Sequence, residues 1–583
     1  MINYNCQNCG DKVTIIYSKE ASGFPKNYKN IKEGKILICS RCLKEYEARK
    51  ADLEKIINSS NKDKKIIVAG PGTGKTFTFL EYLRRFKKKD KVQITTFGKN
   101  LTNDLIKEVD DYYSKEKLKI DRKNIKINTF HSFCRKELAK HIGYNYFGDL
   151  TKLIVRDYCS ENYSKNEKVL VESLQELKLD NNKFKFYFRM SKYYKAVGHD
   201  NVVPALFVAL KKNLIKINDL DFSEMIVDEF QDFNYSEFKL IDSISNYKKI
   251  LVAGDDDQVL YFFKNAHPRF IRELWKRDDY EKLHLNYCNR CTEAIVDSVN
   301  YFLKQLIDNN FLDSDRIERE YKCYYPDKYE DSKKYPYIYH YRINISASAV
   351  KALLKIINIL IKNKETKENK LNFLIICPRL RSKNFIPLIK EKIKNNKDID
   401  FNVVEKGREF DELAVKDGYE LIKKDKKSNL GWRIVLHFDP IGNVKEIVEK
   451  GVKNNINLYD LLDKSYIKKH SDLMKNFVDD NVIEIKQSKG KINIMITNFL
   501  GSKGLTADHT MMFFINDRVI PEKNKIRIEE IYKFLVGLSR ARKSLHIFSN
   551  HEKCFKSTFL NMLPQEKIKK IKWKELKDMD NFV

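Results

Sequence analysis

The chain has 583 residues, with 111 Lys and Arg against 81 Asp and Glu, a formal net charge of +30, and 42% apolar residues. That length exceeds one domain at about 100 to 200 residues each, and the apolar fraction is enough for ordinary cores, so a disordered or fibrous chain is excluded. No apolar run of about 18 residues occurs, and Met1-Ile2-Asn3-Tyr4-Asn5-Cys6 carries no apolar signal core, so a cytoplasmic protein without membrane contact is expected. Its eleven cysteines are then thiols or metal ligands rather than disulfides.

The first predicted unit covers residues 1–49. Cys6-x-x-Cys9 and Cys39-x-x-Cys42 form two knuckles, and such pairs supply the four thiolates that tetrahedral Zn²⁺ takes, so a zinc ribbon is expected here. The apolar run Ile66-Ile67-Val68-Ala69 follows, then Gly70-Pro71-Gly72-Thr73-Gly74-Lys75-Thr76, then a helix-like stretch from Phe77. Strand, glycine-rich loop and helix together make a phosphate site: loop N–H groups around Gly70, Gly72, Thr73 and Gly74 close on phosphate oxygens, Lys75 reaches the β and γ phosphates, and Thr76 offers its hydroxyl to Mg²⁺. Residues 109–222 are rich in Lys, Tyr and Leu and read as mostly helical. At Glu224-Met225-Ile226-Val227 a second apolar strand ends in Asp228 and Glu229, one carboxylate to hold Mg²⁺ and one to orient water.

Further strands are expected at residues 337–343, 372–377 and 544–549. Lysine runs such as Lys362 to Lys370 are solvated faces, and the basic surplus favours a polyanion partner, although a chain-wide lysine bias accounts for part of it.

Seven motifs in a fixed order resemble those of superfamily-one helicases of the UvrD type. After the phosphate loop come Thr96-Phe97, Thr129-Phe130-His131-Ser132-Phe133, Val227-Asp228-Glu229-Phe230-Gln231-Asp232, Ala253-Gly254-Asp255-Asp256-Asp257-Gln258, Ser502-Lys503-Gly504-Leu505 and Leu538-Ser539-Arg540-Ala541-Arg542. The resemblance implies an α/β fold of two RecA-like P-loop NTPase domains with mostly helical insertions. The first would comprise residues 50–108 and 223–290, with 109–222 as its insertion. The second would comprise 291–425 and 486–583, with a reduced insertion at 426–485.

By the same resemblance Gln258 senses the γ-phosphate, Arg540 is the arginine finger and Gly504 borders the nucleotide, while Phe97, His131, Tyr261 and Phe263 meet the nucleic acid. The fourth motif allows two alignments within Asn286-Tyr287-Cys288-Asn289-Arg290; matching Arg290 puts Ile295 at the family spacing and is preferred. No glutamine stands between Arg49 and Gly70 where relatives contact adenine, Phe77 replaces a basic residue, and Thr506 replaces a glutamate, so relaxed base choice is expected. The resemblance implies an ATP-dependent, 3′ to 5′ helicase or translocase acting on single-stranded or partially duplex DNA with Mg²⁺. The alternative is a nucleic-acid-sensing NTPase switch that governs a partner nuclease, resembling helicase-like subunits of anti-phage defence systems such as Gabija.

Overall fold

The computed structural model describes residues 14–17, 35–38, 40–59, 62–116, 118–158, 163–313, 315–343, 347–362, 371–378, 387–389, 391, 399–403, 413–475, 492–517, 519–521, 526–550 and 557–579. Six strands build the first sheet: β1 (Lys64–Ala69), β2 (Val92–Thr96), β3 (Ile125–Thr129), β4 (Glu224–Val227), β5 (Lys249–Gly254) and β6 (Tyr280–Leu285). Their order is β6-β1-β5-β4-β2-β3, and every pairing is parallel. Helices cover both faces of a parallel sheet, so its central strands must be apolar throughout. Ile66 to Ala69 and Ile250 to Ala253 accordingly have no exposed surface.

Seven more strands form the second sheet: β7 (Ile338–Arg342), β8 (Leu371–Ile376), β9 (Ile399–Val403), β10 (Ile492–Thr497), β11 (Ala507–Met512), β12 (Ala541–Ser549) and β13 (Ile568–Ile571). They run β9-β10-β8-β11-β12-β7-β13, again all parallel. Two parallel α/β sheets agree with the RecA-like pair that the motifs imply.

The stretch expected to be a helical insertion contributes β3 to the edge of the first sheet, and its helices Phe130–Ile142 and Val202–Lys211 join that sheet's core. The alternation Ile125-Lys126-Ile127 marks this strand in the sequence. Helices Leu150–Tyr158, Tyr163–Gln175 and Asn182–Tyr194 remain outside the sheet. They share one apolar core with Leu413–Lys424, which lies before the expected second insertion, and with Asn429–Phe438 and Val444–Asn454 inside it, including the fully buried Trp432. Asp157 and Arg433 pair inside this core, with Nε to Oδ1 at 2.8 Å, and the Tyr194 hydroxyl donates to Asp157 Oδ2 at 2.6 Å.

At the N-terminal end, Thr14–Tyr17 and Lys35–Ile38 pair antiparallel, with Thr14 opposite Ile38. Helix α1 (Ser40–Asn58) runs through the expected boundary at residue 49 and packs on β6 and on the helix Tyr325–Lys334. Cys42 is buried on α1; Cys6, Cys9 and Cys39 lie outside the described residues. Among the described residues no helix is long and apolar enough to cross a membrane.

Two stability outcomes follow from this packing. Arg433→Met strands the Asp157 carboxylate in an apolar core and costs about 3 to 5 kcal/mol, whereas Asp157→Leu with Arg433→Met recovers most of the loss. Thermal unfolding of the single and double variants checks this, and a double variant no better than the single contradicts it. In the second sheet, His546 is pushed down to about 3 by burial, and His340 to about 4 by burial aided by Lys570 and Arg342. A histidine in the unfolded chain titrates near 6.5, so below that pH the unfolded state binds more protons. The stability these histidines contribute is present above about 6.5 and lost as pH falls through the folded values. The urea midpoint reported by Trp573, which packs against this domain's core, should drop between pH 6.5 and 4, less steeply in His546→Phe.

Candidate nucleotide site and nucleic-acid face

Between β1 and helix α2 (Lys75–Tyr82) the loop turns twice through left-handed backbone, at Gly72 with φ +73° and Gly74 with φ +90°. A side chain at Gly72 would also collide with Arg290, whose Cβ stands 2.4 Å from where a Cβ would sit. Arg290 thus rests directly on the phosphate loop, and Asn289 N donates to Gly72 O at 2.9 Å. Cys288 is buried behind the same loop rather than facing the cleft, as expected if the motif aligns through Arg290.

The loop opens onto a cleft of about 540 Å³ between the two sheets. Gly70, Gly72, Thr73, Gly74, Lys75 and Thr76 form one wall, Asp228, Glu229 and Gln258 come from the ends of β4 and β5, and Arg290, Gly504 and Arg540 complete it. Every catalytic, nucleotide and magnesium candidate named from the sequence therefore lines one cavity. Thr76 and Asp228 both line it, offering a hydroxyl and a carboxylate oxygen of the type Mg²⁺ accepts.

Charge in the cleft is tightly organised. Lys75 Nζ lies 3.3 Å from Glu229 Oε1, and Lys503 Nζ, from the second domain, lies 3.6 Å from Glu229 Oε2. Burial would lift the Glu229 carboxyl, but Lys75 and Lys503 outweigh it and hold the group well below the usual carboxylate range. Asp228 is pushed up to about 7 by burial and by the charge of Glu229, with Lys75 pulling the other way. Glu229 itself adopts left-handed backbone, φ +54°, which costs a residue with a side chain about 1 to 2 kcal/mol. Strain of this kind is kept where the surroundings over-determine it, as at functional sites. Gln231 Nε2 donates to Glu229 Oε2 at 2.5 Å and fixes the carboxylate from behind.

The two domains touch through side chains at the cleft. Arg540 Nη2 donates to Gln258 Oε1 at 3.1 Å, and Gln258 Nε2 donates to Asp255. Burial, and then the neighbouring Arg290, lower Arg540 to about 9, still cationic at neutral pH. Lys503 donates to Gln258 O at 2.9 Å and pairs with Asp232, whose carboxyl burial pushes up to about 6. Lys503 and Asp232 were not singled out as site residues from the sequence, although both sit inside quoted motifs. What they lacked was a partner, and each partner is more than 200 residues away.

Asp255, Asp256 and Asp257 cluster closely enough to bind a cation, yet the charges they face are guanidinium groups. Arg319 bonds all three, Arg316 bonds Asp257 at 2.7 Å, and Arg272 bonds Asp256 at 2.9 Å.

Beyond the cleft, Phe97 and Tyr261 pack with ring centroids 4.5 Å apart and planes tilted by 34°, and Tyr261 meets Phe263 at 5.8 Å. Lys264 Nζ lies over Phe97 and Tyr261 at 5.3 and 5.8 Å. Phe263 is 66% exposed and Tyr261 only 9%, so Phe263 is the ring offered to solvent while Tyr261 lies beneath its neighbours. His131 stacks on His199 at 4.6 Å, and burial, with His199 and Lys264, keeps it neutral. It supplies a ring and a hydrogen-bonding nitrogen there rather than a positive charge.

A family model described as an AAA domain matches residues 53–264. The chain is 27% identical over 491 residues to a probable DNA helicase II homolog of Mycoplasma capricolum, covering 75% of this chain and 64% of that protein. It is 23% identical over 292 residues to an ATP-dependent DNA helicase Rep of Buchnera aphidicola, covering 42% and 44%. To the putative ATP-dependent DNA helicase YjcD of Bacillus subtilis it is 23% identical over 280 residues, covering 41% and 36%. It thus spans less than two thirds of the length of these relatives. Over these stretches, which include the phosphate loop and the Asp228–Glu229 pair, the chain is similar to proteins named as DNA helicases.

Proposed function

We propose that this chain is an ATP-dependent DNA helicase or single-strand translocase that hydrolyses NTP between its two α/β domains. The observation that carries the reading is Arg540 and Lys503 of one domain reaching Gln258, Glu229 and Asp232 of the other across the phosphate cleft. Thr76 and Asp228 would hold Mg²⁺, which would neutralise charge on the phosphates. Glu229, kept ionised by Lys75 and Lys503, accepts a hydrogen bond from the attacking water and orients it. Lys75, Arg290 and Arg540 carry positive charge to the cleft as it develops on the γ-phosphate.

Because Gln258 joins Arg540 to the segment carrying Tyr261 and Phe263, occupancy of the cleft and position of the aromatic face are mechanically linked. Single-stranded or partially duplex DNA would lie along Phe97, His131 and Phe263, moved 3′ to 5′ as in the resemblance, in a cytoplasmic setting. Stacking there is worth about 1 to 3 kcal/mol per base.

The expected outcome is Mg²⁺-dependent hydrolysis stimulated by single-stranded DNA, with stimulation rising with strand length as translocation requires. Lys75→Ala abolishes turnover, Glu229→Gln lowers it by about 10² to 10⁴ while nucleotide still binds, and Arg540→Ala lowers it by about 10³ to 10⁵. Wild-type turnover in Lys75→Ala sinks the reading.

A second reading is a DNA-sensing NTPase switch governing a partner nuclease in an anti-phage system. It is favoured by the single core shared between the two insertions, which ties parts that a strand-separating motor would move. Stimulation that plateaus at one short footprint favours the switch over the motor.

We also propose Zn²⁺ on Cys6, Cys9, Cys39 and Cys42. Thr14 opposite Ile38 brings the chain shortly after Cys9 beside the residue before Cys39, a pairing that suits two knuckles sharing one ion. Metal analysis of the purified chain should find one Zn²⁺, lost in Cys39→Ser; metal-free protein of unchanged stability counts against it.

A further inference from the structure

Two thiols lie between the phosphate loop and the second domain, and no step of hydrolysis uses them. Cys288 and Cys291 are fully buried, flank Asn289 and Arg290 in the sequence, and have their side chains within hydrogen-bonding reach of each other. Cys291 N donates to Cys288 Sγ at 3.4 Å, so the segment folds back on itself just before the helix Glu293–Asp308. Each sulfur also lies against a part of the nucleotide cleft. Cys288 Sγ stands 3.1 Å from where a Cβ at Gly72 would sit, and Cys291 Sγ is 3.6 Å from the carbonyl oxygen of Ser539, the residue before Arg540.

A Cys-x-x-Cys turn ahead of a helix is the arrangement of a dithiol that closes reversibly to a disulfide, and the thiolate is the form that reacts. Burial alone would raise the Cys288 thiol, but the hydrogen bonds its sulfur takes from Cys291 and from the amides of Cys291 and Arg290 outweigh it and lower the group to about 6. Cys291 moves the other way, raised by its bond to Cys288 and by burial, so one sulfur is ready to attack while its neighbour keeps a proton. Cys323 is partly exposed and donates its thiol to Cys291 O at 3.5 Å, which brings solvent within one residue of the pair. Parting of the two domains would lift Ser539 from Cys291 and uncover it.

We propose that Cys288 and Cys291 form a redox-modification site, at which a peroxide closes a disulfide and thereby slows nucleotide hydrolysis. The Cys288 thiolate attacks one peroxide oxygen, the O–O bond breaks, and the other oxygen leaves as hydroxide and takes up a proton, giving a sulfenic acid and water. The Cys291 thiol then attacks the sulfenyl sulfur, and its proton leaves with the sulfenic hydroxyl as a second water. Two thiols and one hydrogen peroxide thus yield one disulfide and two waters. An S–S bond of about 2 Å is shorter than a hydrogen-bonded sulfur contact. Closing it draws residues 288 and 291 together, shifts Arg290 where it rests on the phosphate loop, and removes the Cys291 contact with Ser539. The inference rests on the proposed reading of the cleft as an NTP-hydrolysing site, and it adds a control of that site by oxidation.

The test exposes the reduced full chain to hydrogen peroxide, blocks remaining thiols by alkylation, and maps disulfides by mass spectrometry of its peptides. Hydrolysis of ATP with Mg²⁺ and single-stranded DNA is followed in parallel, in wild type and in the double variant Cys288→Ser with Cys291→Ser. The expected result is a Cys288–Cys291 link, a kcat lower by about 10²-fold, the scale of a 1 Å misplacement near a reacting centre, and recovery of both with dithiothreitol. The double variant shows no such loss. Absence of that link after treatment that consumes other thiols of the chain, or a link to Cys323 in its place, overturns the proposal. So does a linked chain that turns over as fast as the reduced one, or an equal loss in the double variant. The mapping needs no substitution, so it stands even where the double variant fails to fold. If the reduced chain turns over no nucleotide, the hydrolytic reading fails instead. Calorimetric binding of ATP with Mg²⁺ then judges the site: weaker binding by the linked chain supports the proposal, and equal binding overturns it.

Discussion

Lys503 is the contact on which the rest of the machine depends. It arises from the second domain and ends among Glu229, Asp232 and the carbonyl of Gln258, all in the first. A buried cation held by two carboxylates of another domain is stable only while the domains are apposed, because separation would leave Asp232 buried without its counter-charge. The same ammonium adds to Lys75 in lowering the Glu229 carboxyl, so domain closure reinforces the ionised state of Glu229.

From that contact a chain of polar bonds leads outward. Arg540 bonds Gln258, Gln258 bonds Asp255, and Asp255 pairs with Arg319 in the segment that passes between the domains. Arg272 extends it, with Nη2 3.4 Å from the Tyr532 hydroxyl on the second domain. Three adjacent carboxylates would repel one another in isolation; three guanidinium groups turn them into a rigid node. Movement of the second domain must rearrange this node, which lies directly before Tyr261 and Phe263.

The helical insertions impose a second constraint. They leave different domains yet share one core around Trp432 and the Asp157–Arg433 pair, so each α/β domain is also tied to the other through a common helical body. Opening of the nucleotide cleft is thereby limited by how far that body can tilt as a unit.

The sequence by itself determined the phosphate loop, the carboxylates at the tip of β4 and the apolar strands β1 and β4, while its family resemblance implied the two α/β domains. These are local facts: glycine at positions needing left-handed backbone, and strands apolar on both faces. It also determined the order of the motifs, and hence which distant residues would meet in the cleft. Tertiary structure decided what depends on partners far along the chain. It decided that Arg290 lies against Gly72 while Cys288 is turned inward, that Tyr261 is covered while Phe263 is exposed, and that β3 belongs to the first sheet. Spacing in a sequence encodes which residues share a strand or turn; which charge neutralises which across 200 residues is settled only when the two sheets close on one another.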